Sequence, residues 1–262
     1  MRDYLLAIDV GNSNIVFGLF ENGSLREKWR ILTRKISADE LGLWLCSTLE
    51  RGHIKSDLIE GIVICSVVPS LEIAINKACQ KFLNHTPLFV TIEETADYLP
   101  ISYPKAQQIG ADRLANAVAI YEKYRCSVII VDFGTATTFC VVTPESGFLG
   151  GCIVPGVGIS LDALISKAEK LSPIVWHVPK RIIAEDTEEA IRGGVFFGYS
   201  ALVDGVVKRM QEELESKAKV IATGGWAELF FQGAKVIDEV IPDLTLEGLK
   251  IIFQKQKHGI SC

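Results

Sequence analysis

Two short stretches of this chain place an aspartate, a glycine and small polar residues directly after an apolar run. Asp9-Val10-Gly11-Asn12-Ser13-Asn14 follows Leu5-Leu6-Ala7-Ile8, and Asp132-Phe133-Gly134-Thr135-Ala136-Thr137 follows Val128-Ile129-Ile130-Val131. An aspartate at a strand end offers a carboxylate to a hydrated cation. The glycine lets backbone N–H groups approach an anion, and the hydroxyl and amide side chains after it add donors. These are the groups that a polyphosphate and its metal require. Taken singly, either stretch also reads as an ordinary turn held by aspartate side-chain hydrogen bonds. Each, however, enters a second apolar run (Ile15 to Phe20, Thr138 to Val142) and reaches a turn glycine, Gly23 or Gly147. The strand–turn–strand unit is therefore written twice, which points to a duplication rather than two chance turns.

Gly110-Ala111-Asp112-Arg113 admits two readings. Asp112 caps the helix that follows, with Arg113 a solvated first-turn residue, or an acid–base carboxylate stands beside a guanidinium that clamps a substrate carboxylate. The glycine-rich stretch from Gly147 to Gly156 reads as a loop needing positive φ, or as backbone that a ligand approaches closely. Tyr103 and Thr187 read from their residue types alone as ordinary exposed polar positions.

The elements that must position these groups follow from periodicity. Further strand-like runs occur at Ile62–Val68 and Leu88–Ile92, with a shorter one at Val220-Ile221-Ala222 before Thr223-Gly224-Gly225. Ser37-Ala38-Asp39-Glu40 has the form of a capping box, and Leu41, Trp44, Leu45 and Leu49 follow at helical spacing. Pro69 suits the first turn of another helix. Helices are also predicted from Asp112 to Tyr124 and from Thr187 to Lys217, the latter with Gly193-Gly194 and Gly198 as a close-packing point or a break. Strands mixed with helices indicate an α/β protein. With the second hairpin near the midpoint, the expected division is residues 1–120 and 121–262.

Composition narrows the field. A chain of 262 residues, 48% hydrophobic and 23% charged, is ordinary for a packed two-domain protein. A net charge of −5 argues against a nucleic-acid surface. No apolar run approaches the roughly 20 residues of a membrane helix, and the N-terminus shows no cleavage-site pattern. Seven scattered cysteines without a C-x-x-C pair suggest a reduced, cytoplasmic protein, and the four histidines lack zinc-like spacing.

No G-x-x-x-x-G-K-[ST] loop occurs, and Gly11 has no partner glycine at the Rossmann spacing. Duplicated Asp-Gly hairpins with a late Thr223-Gly224-Gly225 turn instead resemble the acetate and sugar kinase, heat-shock-70 and actin superfamily. That resemblance implies two similar actin-like (ribonuclease H-like) domains related by duplication, with an ATP cleft between them. Seven motifs in order resemble the type III pantothenate kinase family over nearly the whole chain. They are the hairpin at Asp9–Asn14, Ser66-Val67-Val68-Pro69, Gly110–Arg113, the hairpin at Asp132–Thr137, Gly150-Gly151-x-Ile153-x-Pro155-Gly156, Thr223-Gly224-Gly225, and Asp243-Leu244-Thr245-Leu246-Glu247-Gly248-Leu249.

What this resemblance implies is ATP-dependent phosphorylation of pantothenate, the first step toward coenzyme A. By motif position, Asp9, Val10, Gly11, Asn12, Ser13, Asn14, Ile15 and Val16 look like the ATP-phosphate hairpin, with Asp9 holding Mg²⁺ through water. Asp112 looks like the general base, while Tyr103, Gly110, Ala111, Asp112 and Arg113 look like substrate-binding residues. Asp132 resembles the ligand of a monovalent cation, K⁺ or NH₄⁺, and Thr135 an ATP contact. Thr187 resembles a pantothenate contact reaching across a homodimer. On these roles a carboxylate of ordinary pKa near about 4 suffices as base, because the hydroxyl acidifies only as its bond to phosphorus forms.

The chain departs from the family pattern at Lys105-Ala106, where an Asn-Pro pair is usual, and at Asp186, where an Asn is usual. The carboxylates of Glu185, Asp186, Glu188 and Glu189 beside an anionic substrate's site raise the expectation of weakened binding. Two other classes compete: a non-catalytic transcription accessory factor of the same family, and an actin-like assembly ATPase. Intact Asp9, Asp112 and Asp132 speak against the first, and the substrate turn Gly110–Arg113 is unexplained by the second.

Overall fold

The computed structural model describes residues 4–167 and 176–259. The chain forms two compact units, one of Met1–Lys123 with Leu244–Cys262 and the other of Tyr124–Asp243. The expected simple halving at residue 120 therefore misses the return of the C-terminal segment to the first unit.

The first unit is built on β1 (Tyr4–Val10), β2 (Asn14–Glu21), β3 (Ser24–Leu32), β4 (Ile59–Ser66) and β5 (Leu88–Phe89), in the order β3-β2-β1-β4-β5. The first three strands are antiparallel, whereas β4 runs parallel to β1 and β5 parallel to β4. Alternation along the strands sorts side chains to two faces. Leu6, Ile8 and Val10 join Phe17, Leu19, Ile62 and Ile64 in a core completed by α1 (Ala38–Arg51) and α2 (Pro69–Leu83). Ser37 caps α1, its hydroxyl accepting from the Glu40 N–H at 3.1 Å. The Glu40 carboxylate pairs with Arg34 instead of closing the box. Pro69 opens α2 at its first turn, where its missing N–H costs nothing.

The opposite face carries Leu5, Ala7, Asp9, Val63 and Cys65. It meets α3 (Ala111–Lys123) and the C-terminal helix α7 (Leu244–Gly259), which contact β4, and α7 also contacts β1. These two helices approach so closely that a Cβ at Gly248 would overlap the Ala115 backbone. A partly buried hydrogen bond from the Thr245 hydroxyl to Asn116 Oδ1 (2.8 Å) ties them further. Nothing in the helical pattern of residues 244–259 announces this destination.

The second unit repeats the plan. Strands β6 (Val128–Phe133), β7 (Ala136–Thr143), β8 (Gly147–Pro155), β9 (Lys219–Gly224) and β10 (Glu239–Val240) lie in the order β10-β9-β6-β7-β8. Read from the other edge this is the order of the first sheet, again with three antiparallel strands followed by two parallel ones. Ile129, Val131, Phe133, Phe139 and Val220 pack with α4 (Val157–Lys167), α5 (Thr187–Glu213) and α6 (Ala227–Phe231) through Leu161, Phe196, Val203 and Phe230.

The glycine-rich stretch expected as a loop is the edge strand β8. Its positive-φ glycines, Gly147 at 62° and Gly150 at 138°, adjoin a register shift opposite Val141 and Val142. Helix α5 runs unbroken through Gly193-Gly194 and Gly198. Among the described residues it is the one helix long and apolar enough, by length and composition, to cross a membrane. Its buried Phe196, Val203 and Val207 belong to the core of this unit.

Candidate functional site

In the first unit the functional groups gather at the carboxyl ends of β1 and β4, the place where open α/β sheets commonly bind ligands. After Val10 the chain turns through Gly11, Asn12 and Ser13, the last two exposed, before Asn14 begins β2, followed by Ile15 and Val16. The Gly11 N–H donates to the Asn14 carbonyl at 3.0 Å, closing the turn. Thr33 clamps it from outside: its hydroxyl donates to the Gly11 carbonyl at 2.6 Å and its N–H to the Ser13 carbonyl at 3.0 Å. Thr33 has no signal in the sequence, because it lies beyond β3 and meets the turn only through the antiparallel pairing.

Asp9 is half-buried on β1, and the parallel register sets it beside Cys65 on β4. The Cys65 thiol, fully buried, donates to Asp9 Oδ1 at 3.3 Å. The Val67 N–H donates to the Val10 carbonyl at 3.0 Å, so the segment after β4 is fixed to the end of β1.

The turn at Gly110–Arg113 joins the same place. Val67 lies against Gly110, and Asp112 follows in the first turn of α3. A Cβ at Gly110 would stand 2.5 Å from Asp112 Oδ1 and 3.4 Å from Val67 Cγ1. Only glycine leaves that carboxylate its position. Asp112 lies inside α3 and is not its cap: Oδ1 accepts from the Arg113 N–H at 2.8 Å. Burial pushes its carboxyl above the usual carboxylate range, against the lowering effect of the Arg113 N–H and charge. Its acidity is therefore not that of the ordinary carboxylate expected from sequence. Burial, then the charge of Asp9, then that of Asp112 push the Cys65 thiol well up. The first hairpin and the turn at Gly110–Arg113 thus come together at one place, linked by Val67. Gly110, Ala111 and Arg113 are half-buried around it, and Tyr103 is half-buried on the loop before the short turn at Ala106–Gln108.

In the second unit Asp132 occupies on β6 the position that Asp9 has on β1, and its parallel partner on β9 is Thr223. Gly224, at φ 91°, crosses next to it: a Cβ there would stand 2.6 Å from Asp132 Oδ1 and 2.7 Å from the Phe133 backbone. Thr135 is half-buried in the turn, and its carbonyl accepts from the Gly156 N–H at 3.1 Å, which docks the end of β8 on the hairpin.

Thr187 is exposed at the start of α5. The acidic residues around it are already engaged. Asp186 caps the helix, accepting from the Glu189 N–H at 2.8 Å. Glu185 pairs with Arg181 at 2.7 Å, and Glu188 and Glu189 each hold the buried Arg192 at 2.5 Å. The carboxylates expected to repel a substrate are thus bound to caps and cations.

Donor chemistry bears on the cations. Among the described residues no cluster of three or more His, Cys, Asp or Glu forms a cage. One strand-end carboxylate beside exposed turn amides suits Mg²⁺, which keeps several waters and is usually held by one or two carboxylates plus substrate phosphates.

The fold defines the class first. A glucomannokinase from Arthrobacter matches 97% of this chain and 99% of its own at a TM-score of 0.54 and 13% identity. Component A of (R)-2-hydroxyglutaryl-CoA dehydratase from Acidaminococcus fermentans matches 98% and 99% at 0.56 and 14%. A conserved protein of Campylobacter jejuni, assigned provisionally to the Baf family of transcriptional activators, matches 97% and 99% at 0.59 and 22%. Such likenesses establish the fold alone, an α/β fold shared with these proteins. The sequence comparisons are narrower. The family model for type III pantothenate kinase matches residues 5–209. Type III pantothenate kinases of Desulfatibacillum aliphaticivorans and Syntrophus aciditrophicus (strain SB) are each 42% identical, over 257 and 252 residues. Those matches cover 97% and 96% of this chain and 100% and 99% of the relatives. The chain belongs to the type III pantothenate kinase family.

Proposed function

We propose that this chain transfers the γ-phosphoryl group of ATP to the primary hydroxyl of pantothenate, with Asp112 as general base. Family membership makes it a pantothenate kinase of coenzyme A biosynthesis; the residue roles are our reading. The observation that carries them is the link through Val67, whose N–H is bound to the Val10 carbonyl and whose side chain lies against Gly110, bringing a phosphate-type hairpin to a carboxylate-bearing turn.

Phosphoryl transfer runs through a loose transition state, so positioning and charge neutralisation supply most of the catalysis. The exposed turn residues Asn12 and Ser13 face the phosphates. Asp112, held by the Arg113 N–H, orients the hydroxyl and takes its proton late, as the bond to phosphorus forms. Its raised pKa makes it a better acceptor than an exposed carboxylate. Arg113 and Tyr103 hold the pantothenate carboxylate and chain. Asp9 would hold Mg²⁺ through water, and Asp132, in the space kept by Gly224, a monovalent cation, K⁺ or NH₄⁺. Bound cations neutralise charge on the phosphates. Thr135 contacts ATP, and Thr187 completes the pantothenate site of a second copy in a homodimer. No disulfide joins the six described cysteines, which suits work in the cytoplasm.

A coupled ADP-release assay tests this reading. ADP should appear only when pantothenate is present, and faster with K⁺ than with Na⁺. ADP release indifferent to pantothenate would refute it.

A further inference from the structure

Cys65 has no part in the reaction as set out above. It is fully buried, lies on β4 directly beside Asp9 in the parallel register, and donates its thiol hydrogen to Asp9 Oδ1 at 3.3 Å. Burial alone would explain a cysteine as a small apolar filler. A filler has no reason to aim its one polar bond at the carboxylate that ends β1. The duplication supplies an independent observation. Asp132 in the second hairpin has Thr223 at the same register on β9, and Thr223 is likewise buried. Each hairpin aspartate thus has, on the neighbouring parallel strand, a small side chain carrying one hydrogen-bond donor. Directly beside these pairs the strands carry Ile8, Val10, Ile64 and Ser66 in the first sheet and Val131, Phe133, Ala222 and Gly224 in the second.

We infer that Cys65 is a positioning residue for Asp9: its thiol fixes one carboxylate oxygen so that the other is presented toward the hairpin turn and the metal–phosphate complex there. This rests on the reading of Asp9 as the Mg²⁺·ATP carboxylate. A thiol suits the task chemically. Its S–H is a weak donor, so it sets the carboxylate's rotation while withdrawing little of the charge that attracts the cation. A lysine or arginine here would neutralise that charge, and an apolar residue would remove this bond to the carboxylate. Partners of this kind commonly change metal affinity by about 10–100-fold when removed, and a thiol belongs at the low end.

The test measures binding of Mn²⁺·ATP by titration calorimetry, with manganese standing in for magnesium, alongside steady-state kinetics. Cys65→Ala should weaken Mn²⁺·ATP about tenfold and raise the KM for ATP to match, with the KM for pantothenate little changed. Cys65→Ser, which restores a donor, should recover most of the affinity. If Cys65→Ala folds poorly, Cys65→Val refills the space without a donor and should show the same loss. In an Asp9→Asn background, Cys65→Ala should add no further loss, because the residue acts only through that carboxylate. Unchanged Mn²⁺·ATP affinity in a folded Cys65→Ala or Cys65→Val chain overturns the inference, as does a full additional loss in the Asp9→Asn background. Asp9→Asn is also the separate control: if it alone binds Mn²⁺·ATP as well as the wild type, the reading of Asp9 fails, and this inference with it.

Discussion

Replacing Asp112 by Asn separates its chemistry from its structural duties. The amide oxygen of Asn can still accept from the Arg113 N–H, the 2.8 Å bond that holds the side chain in the first turn of α3. Losing a negative charge near a helix N-terminus costs about 0.3–1 kcal/mol. Removing a carboxylate whose burial disfavours its charged form works the other way. The two effects nearly cancel, so stability should stay within about 1 kcal/mol, or roughly 2–4 °C in Tm for a chain of this size. Turnover should fall by about 10²–10⁴-fold, the range for a lost general base. The pH dependence adds a second readout. The base must be ionised, so wild-type kcat/KM should fall as pH drops through the pKa of Asp112, on a limb lying above the ordinary carboxylate value near about 3.9. Stability carries the opposite sign: between the unfolded and the raised folded pKa the native state binds more protons, so this group's contribution weakens as pH rises across that window. Asp112→Asn should flatten that slope. Steady-state kinetics from pH 4 to 8, with thermal melts at each pH, measure all of this. A variant with wild-type turnover, or with the acid limb unmoved, would refute the assignment.

Gly110→Ala should cut kcat by about tenfold or more with the fold intact, since the new methyl would stand 2.5 Å from Asp112 Oδ1 and displace the carboxylate; circular dichroism with kinetics checks it, and an unchanged kcat counts against the tight turn. Asp132→Asn should lower activity and blunt the response to K⁺, while Gly224→Ala, which crowds the same carboxylate at 2.6 Å and strains φ 91°, should do so at greater cost to stability. Equal rates in Na⁺ and K⁺ for the wild type would end that assignment. Asp186→Ala removes the α5 cap, worth about 1 kcal/mol, and should lower Tm by roughly 2–4 °C without improving the KM for pantothenate; a markedly lower KM would mean its charge does repel substrate. Thr187→Ala should raise the KM for pantothenate and spare that for ATP. Mixed with Asp112→Asn chains it should regain activity above the average of the two, and failure to do so despite subunit exchange would place each site within one chain.

The sequence by itself determined the local parts. Continuous apolar runs ending in Asp-x-Gly specified β1–β2 and β6–β7, Ser37 and Pro69 marked the starts of α1 and α2, and the repetition of the hairpin foretold two sheets of one design. These signals are local, because strand pairing across a short turn and helix capping involve residues a few positions apart. Tertiary structure decided what came from far away. Cys65 lies 56 residues from Asp9 and became its neighbour only through the parallel crossover that sets β4 beside β1. Asp112 reached the same site because α3 covers that face of the sheet, and the close approach of α7 at Gly248 drew the C-terminus back to the first unit. The raised pKa of Asp112 belongs to the same category: its identity is written in the chain, but desolvation arises only when distant segments close around it.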